Sequence, residues 1–310
     1  MRKAFAATLV ELAEQDPRIV LMTGDLGYMV LEPFIERFPG RFINAGVAEQ
    51  NMVGLATGLA EAGFIPFVYS IIPFATLRPF EFIRNGPIVH QLPVRIVGVG
   101  SGFDYGQNGV SHYGLEDISI MRTQPGMTVI APADHLQTTA ALKAAWDLPS
   151  PIYFRLGKDH ETIVPGLEGR FEMGRLQRLG NGGDLLFVAI GNIVPEVVDA
   201  ADKLRASGVS CSVAVISSLN PSPDADLIEL LREFTLVMTV EAHYINGGIG
   251  SYVSEIIAEQ NMSCRVVRCG VDKMPDVTGS QSYLRQKHGL SAGALLKTAL
   301  TELSSEDADE

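Results

Sequence analysis

The sequence predicts an α/β protein with two parallel-sheet domains in tandem, the second smaller than the first. Three observations carry that expectation. Short continuous apolar runs recur, and runs without alternation mark strands buried on both faces. Helical stripes alternate with these runs, the order expected of a parallel sheet covered by helices. One weakly patterned, glycine-rich stretch separates two such series. With 310 residues, 46% hydrophobic and 19% charged, the chain is long enough for two ordinary domains with well-buried cores.

The first series occupies residues 1–160. Arg2 to Gln15 carries a helical stripe through Phe5, Leu9, Val10 and Leu12, and Asp16-Pro17 stops it. Ile19–Met22 reads as a buried strand, followed by the loop Thr23-Gly24-Asp25-Leu26-Gly27 and a small helix from Pro33 to Phe38. Phe42 and Ile43 then lead into the small residues Ala45, Gly46 and Ala48, and a helix begins at about Glu49. Small residues at a strand-to-helix junction let something approach the backbone closely. A carboxylate in a first helical turn sits near free N–H groups, so on local chemistry alone Glu49 reads as a helix start. This helix runs to about Ala62, with Gly63 as its cap. Gly54, Ala56, Gly58 and Ala60 suit close packing against another backbone, at a subunit interface or against the sheet.

Ile65–Tyr69 is the next strand. A loop with Phe74, a helix from about Leu77 to Gln91 and the strand Val94–Val99 follow. That strand opens into a polar, glycine-rich loop from Gly100 to His112. A helix (Leu115–Arg122), a strand (Thr128–Ile130), a helix (Leu136–Trp146) and a strand (Ile152–Leu156) complete the series. Loops after parallel strands gather at the carboxyl edge of the sheet. The loops at Asp25, Ala45–Glu49, Ser70–Phe74 and Gly100–His112 should therefore meet.

Residues 161–183 read as a linker with room for a short hairpin, and residues 184–310 as the second domain. Its order is strand Leu185–Ile190, helix Val194–Ala206, strand Cys211–Ile216, helix Ala225–Phe234, strand Leu236–Glu241, helix Gly250–Glu259, strand Arg265–Cys269 and a helix near Ala292–Leu303. The acidic end, Glu302–Glu310, reads as a solvated tail.

Charge narrows the partners. With 24 basic and 36 acidic residues, net −12, no basic surplus exists to neutralise phosphates, which argues against nucleic acid or an anionic membrane surface. No long apolar run suggests a signal peptide or a transmembrane helix, so a cytoplasmic protein is expected. Cys211, Cys264 and Cys269 form no C-x-x-C pair and read as buried reduced thiols.

The local motifs are individually weak. Gly98-Val99-Gly100-Ser101-Gly102 lacks the third glycine of a dinucleotide fingerprint at the needed spacing. Asn246-Gly247-Gly248-Ile249-Gly250 is a tight turn or an anion-holding helix start. His112 is a loop histidine able to move protons near neutral pH; His90, His135 and His160 read as ordinary surface or hydrogen-bonded residues. Arg155, at a strand end, meets either a substrate anion or a salt-bridge partner. No metal-ligand spacing and no G-x-S-x-G elbow is present.

Four segments together resemble the C-terminal half of transketolases: G-V-A-E-Q-N-M at 46–52, G-Q-N-G-V-S-H at 106–112, L-E-D-I-S-I-M-R-T-Q-P-G-M-T-V-I-A-P-A-D at 115–134 and V-E-A-H-Y-I-N-G-G-I-G-S at 240–251. The resemblance covers nearly the whole chain and is closest to split transketolases, in which this half is a separate small subunit. It implies a pyrimidine-binding domain of thiamine diphosphate enzymes, followed by a transketolase C-terminal domain with a mainly structural role. Glu49 matches the family's glutamate, which binds N1′ of the aminopyrimidine so that the exocyclic nitrogen can take the proton from thiazolium C2. That role needs a dry, positioned carboxyl group.

The resemblance also places Asp25, Ile71 and Phe74 with Glu49 on the cofactor, and Gly100, Asn108, His112 and Arg155 on the substrate, with His112 joining Glu49 in catalysis. Several of these depart from the family pattern. Ile71 stands where a stacking Phe is usual, Asn108 where Asp is usual, Met29 where Ser is usual and Gly100 where His is usual. Arg155 would be the retained arginine of the substrate-phosphate site. A lone arginine holds phosphate less securely than a cluster, so the substrate is expected to differ from an ordinary sugar phosphate or to be recognised differently.

The family's diphosphate motif, G-D-G followed by Asn, is missing: Gly24-Asp25-Leu26 and Gly183-Asp184-Leu185 both fail it. The expectation is therefore half an active site. A partner chain would supply the diphosphate and Mg²⁺ contacts in an α2β2 heterotetramer that transfers a two-carbon ketol unit from a ketose to an aldehyde. Two rivals are a decarboxylating carboligase or 2-oxo-acid dehydrogenase-type subunit using a donor such as pyruvate, and a non-catalytic regulatory subunit, against which Glu49, Phe74 and His112 argue.

Overall fold

The structure, a computed structural model, describes residues 1–159 and 161–306. His160 and the end of the acidic tail, 307–310, lie outside the described residues. In chain order the first domain reads α1 (Arg2–Gln15), β1 (Ile19–Thr23), α2 (Glu32–Arg37), β2 (Phe42–Asn44), α3 (Glu49–Glu61), β3 (Ile65–Ile71), α4 (Ile72–Thr76), α5 (Phe80–Ile83), β4 (Arg95–Val99), α6 (Asp117–Arg122), β5 (Thr128–Ile130), α7 (His135–Ala145) and β6 (Ile152–Leu156). There follow β7 (Leu176–Leu179), β8 (Leu185–Ile190), α8 (Val194–Ala206), β9 (Cys211–Ile216), β10 (Ser218–Leu219), α9 (Asp224–Leu231), β11 (Leu236–Tyr244), α10 (Ile249–Glu259), β12 (Arg265–Val271), α11 (Gln281–Lys287) and α12 (Ala292–Glu306).

The first sheet runs β10-β5-β6-β4-β3-β1-β2 and is parallel apart from its edge strand β10. The second runs β12-β11-β8-β9-β7 and is parallel apart from β7. Both match the expected fold class. Buried residues of the two domains, among them Met52, Val68, Ile118, Leu186, Ile216 and Val253, form one continuous apolar cluster.

Several local features differ from the sequence reading, among them the helix Gln281–Lys287, which it did not contain. The helix expected over Leu77–Gln91 is broken. Phe74 lies on α4, α5 is short, and a π-type turn spans Arg84–Ile88. Pro79 and Pro87 explain this, because each lacks the N–H that a continuous helix needs. Leu176–Leu179, inside the expected linker, is an edge strand paired antiparallel with β9. Ser218–Leu219 crosses back to pair with β5, too short a strand to read from pattern.

The topology positions the site. From β2 the chain returns through α3 and crosses β1 to form β3, so the direction of winding reverses between β1 and β3. Ligands of open α/β sheets bind in the crevice at such a reversal, beyond the carboxyl ends of the strands. Small residues divide between the two faces of α3: Ala56 and Ala60 are buried, whereas Gly54 and Gly58 are exposed, with no side-chain atom within 4 Å of a methyl group added at Gly58. Cys211 is buried and the other two thiols half-buried; burial pushes Cys269 up to about 12.

Candidate active site

Glu49 opens α3 directly beneath the reversal. Its side chain is 1% exposed. Oε1 points inward, 3.4 Å from the Ser70 hydroxyl at the end of β3. A methyl group at Gly24 would sit tightly on the Gly46 carbonyl oxygen at 3.3 Å and in ordinary contact with Oε1 of Glu49 at 3.4 Å, so the β1 loop lies close to the carboxylate. Oε2 is the outward oxygen and accepts a 2.6 Å hydrogen bond from Nη1 of Arg78.

From Arg78 the site continues as a line of contacts. The Arg78 guanidinium carbon lies 4.3 Å from the centroid of the Phe74 ring. His112 meets the same ring edge-on, with centroids 5.1 Å apart and planes at 70°. Nδ1 of His112 is 3.0 Å from the Ser111 hydroxyl, which leaves Nε2 for a ligand. Tyr105 follows, its centroid 6.3 Å from that of His112, with Lys158 Nζ 4.9 Å from the Tyr105 ring centroid. Gly100 sits under Tyr105 at φ +91°, and a methyl group on it would come within 2.2 Å of the tyrosine ring.

The structure thus brings together Glu49, Phe74, His112 and, through Tyr105, Gly100. Ile71 is half-buried at the end of β3, next to Ser70. Asn108 is exposed on the same loop as His112, its amide N–H donating to the Tyr105 carbonyl at 2.8 Å. Asp25 is exposed on the neighbouring loop in a left-handed conformation, φ 59°. There Asn44 knits the two loops: its Nδ2 donates to Asp25 Oδ1 at 2.9 Å, and its Oδ1 accepts from the Asp25 and Gly46 amides at 3.1 and 3.0 Å.

Arg155 requires a correction. Its side chain is fully buried against Asp117, Nε to Oδ2 at 2.7 Å. Nη2 donates to the carbonyls of Gly114 and Ala242, each at 2.9 Å. The Tyr153 hydroxyl donates to the same Asp117 oxygen at 2.6 Å. The guanidinium is closed to solvent and held by protein acceptors at Nε and Nη2, with Nη1 buried and without a hydrogen-bond partner, so it is not displayed to a substrate phosphate in this structure. Arg155 is instead a clamp between the first domain and the end of β11, the salt-bridge alternative open at the sequence level.

Other motifs resolve similarly. Gly98 lies within β4, where a side chain would strike the Tyr153 hydroxyl at 2.8 Å, so the glycine run is a packing feature. The helix start at Asn246–Gly250 does hold an anion, and that anion is Glu241, whose carboxylate accepts from the Ile249 and Gly250 amides at 2.8 and 3.0 Å. His243 accepts the Ser119 amide at 3.3 Å and donates to the Tyr244 carbonyl at 2.7 Å, a structural role.

Sequence reading missed Arg78 and Tyr105. Arg78 follows Phe74 by four residues, the spacing that places side chains on one face of a helix. No pattern in the sequence marked Tyr105.

The donor set fits the aminopyrimidine half of thiamine diphosphate: a buried carboxylate with one outward oxygen, beside an aromatic face, in a crevice between strand ends. Among the described residues no group of three or more His, Cys, Asp or Glu could hold a metal ion. None of the helices described is long and apolar enough to cross a membrane.

Comparison with known proteins agrees with this geometry. Residues 1–161 match the transketolase pyrimidine-binding domain and residues 174–295 the transketolase C-terminal domain. A Methanocaldococcus jannaschii protein, provisionally named a transketolase C-terminal section, is 37% identical over 309 residues, 99% of this chain and 97% of that one. An apulose-4-phosphate transketolase subunit from Phocaeicola vulgatus is 34% identical, covering 96% of each chain. A 6-deoxy-6-sulfo-D-fructose transketolase subunit from a Clostridium species is 33% identical over 96% of this chain and 93% of its own. A solved split-gene transketolase, described as an inactive beta4 tetramer, superposes with a TM-score of 0.88 at 36% identity over 98% of both chains. The Leishmania mexicana transketolase shares the fold, with a TM-score of 0.82 at 20% identity over 98% of this chain and 45% of that one. The chain belongs to the transketolase family, as the pyrimidine-binding and C-terminal domains that split transketolases carry on a subunit of their own.

Proposed function

We propose that this chain is the pyrimidine-activating subunit of a thiamine diphosphate-dependent enzyme that moves a two-carbon ketol unit from a ketose to an aldehyde. The observation that carries this reading is the buried Glu49 carboxylate, with Oε1 on the Ser70 hydroxyl and Oε2 paired with Arg78, whose guanidinium lies over the Phe74 ring. When bound, the cofactor would supply a nucleophilic carbon for the donor ketone. The chain's own residues do the rest. Glu49 holds a proton at the N1′ edge of the pyrimidine, and Phe74 packs against the ring and excludes water. His112, its Nδ1 engaged by Ser111, turns Nε2 to the substrate oxygens. Lys158, exposed beside Tyr105, is placed to meet an anionic substrate tail in place of the buried Arg155.

A partner chain would provide the diphosphate and Mg²⁺ contacts. Tyr28, Met29 and Val47, on the loops after β1 and β2, are 74%, 88% and 73% exposed. Apolar side chains displayed beside the site suit burial by a partner in an α2β2 assembly. The split-gene relative solved as an inactive beta4 tetramer supports the view that such a chain self-associates and has no activity alone. The transketolase names of the similar full-length chains favour a ketose donor over a 2-oxo acid. Reconstitution with the diphosphate-binding chain and assay of a ketose against pyruvate, each with an aldehyde acceptor, tests the reading. Ketol transfer from the ketose supports it; carboligation from pyruvate alone replaces it with the decarboxylating reading.

A further inference from the structure

Arg78 occupies the ground that an aminopyrimidine needs. Oε1 of Glu49 is engaged by the Ser70 hydroxyl at 3.4 Å, and Oε2 is the oxygen on the Arg78 side. Nη1 of Arg78 already sits on Oε2 at 2.6 Å. The rest of the guanidinium lies over the Phe74 face, 4.3 Å from its centroid. A planar N–C–N group, hydrogen-bonded at its edge to the carboxylate and packed by its face on Phe74, takes the carboxylate oxygen and part of the aromatic wall that the resemblance assigns to the pyrimidine.

Two physical considerations fit a stand-in. Breaking a buried ion pair by removing one partner is strongly destabilising, and Arg78 is the ion-pair partner of Glu49 in the cofactor-free chain. Arg78 can also leave. Its side chain is 36% exposed while that of Glu49 is 1% exposed, and its backbone lies in the joint between α4 and α5, before Pro79.

We infer that Arg78 is the resident occupant of the pyrimidine pocket, a positioning residue that holds Glu49 in place until thiamine diphosphate displaces it. The inference rests on the reading of Glu49 as the N1′ partner. Cofactor binding is then an exchange of one planar cation for one planar ring.

The test uses the chain assembled with its diphosphate-binding partner and titrates thiamine diphosphate with Mg²⁺ by calorimetry. Arg78→Met should bind the cofactor about tenfold more tightly than wild type, the factor by which a stand-in present in ~90% of molecules weakens apparent affinity. Arg78→Lys, which keeps the charge but loses the planar stack, should shift the same way by less, and it carries the test if the methionine variant does not assemble. Unchanged or weaker binding in the variants, with wild type binding normally, overturns the inference and makes Arg78 a contact of the bound state. A lower melting temperature without tighter binding overturns it too, because the ion pair would then be structural only. Failure of wild-type complex to bind the cofactor would instead remove the reading of Glu49 on which the inference rests.

Discussion

The Tyr105 ring fills the space that any side chain at Gly100 would need: a methyl group there would lie 2.2 Å from two ring carbons. The glycine and the tyrosine are therefore a matched pair, and the surface beside His112 is aromatic where the family pattern has a histidine at position 100. Gly100→His should destabilise the chain by ~1–3 kcal/mol through overpacking, with added strain from its positive φ. Tyr105→Ala in the same chain should recover part of that loss. Urea denaturation of the two single variants and the double variant measures the coupling, and additive effects would contradict the pairing.

The Arg155–Asp117 clamp makes a separate prediction. Removing one partner of a buried ion pair costs ~3–5 kcal/mol. Arg155→Met and Asp117→Ala should both lose stability of that order by chemical denaturation. Inorganic phosphate should not protect the wild-type chain through Arg155, since no solvent reaches it. Phosphate stabilisation that disappears in Arg155→Lys would return this residue to the substrate site.

His112 meets the Phe74 ring edge-on, whereas Glu49 bonds Ser70 and Arg78, and the proposed function puts His112 on the substrate. His112→Ala in the assembled enzyme should lower kcat/KM for the donor by ~10²–10⁴-fold, the usual loss of a proton-transferring group. Cofactor affinity should stay near the wild-type value. A large loss of cofactor binding with intact turnover at saturation would assign His112 to the cofactor.

Much of the fold was legible because its signals are local and periodic. The run Ile19–Thr23 is buried along its whole length and Val194–Ala206 is helical, as their patterns require. Illegible parts depend on distant contacts. Two residues, Ser218 and Leu219, have no period, and only pairing with β5 makes them a strand. Arg155 could be read two ways until the position of Asp117 was known. Glu49 lay in a motif that the family resemblance picks out, whereas Arg78 belongs to the site through side-chain geometry. Tyr105 is visible only once Gly100 is known to lie beneath it.

Glu49→Gln keeps the shape of the side chain and removes the acid. In the assembled enzyme this substitution should slow hydrogen–deuterium exchange at the cofactor's C2 by at least ~10²-fold. A near-normal exchange rate would remove Glu49 from the mechanism.

The same exchange rate, followed by proton NMR on thiamine diphosphate with Mg²⁺, tests most directly whether this chain holds half of a shared site. The chain alone should leave the rate at that of free cofactor, and addition of the diphosphate-binding chain should accelerate it. Full acceleration by the isolated chain would contradict the account.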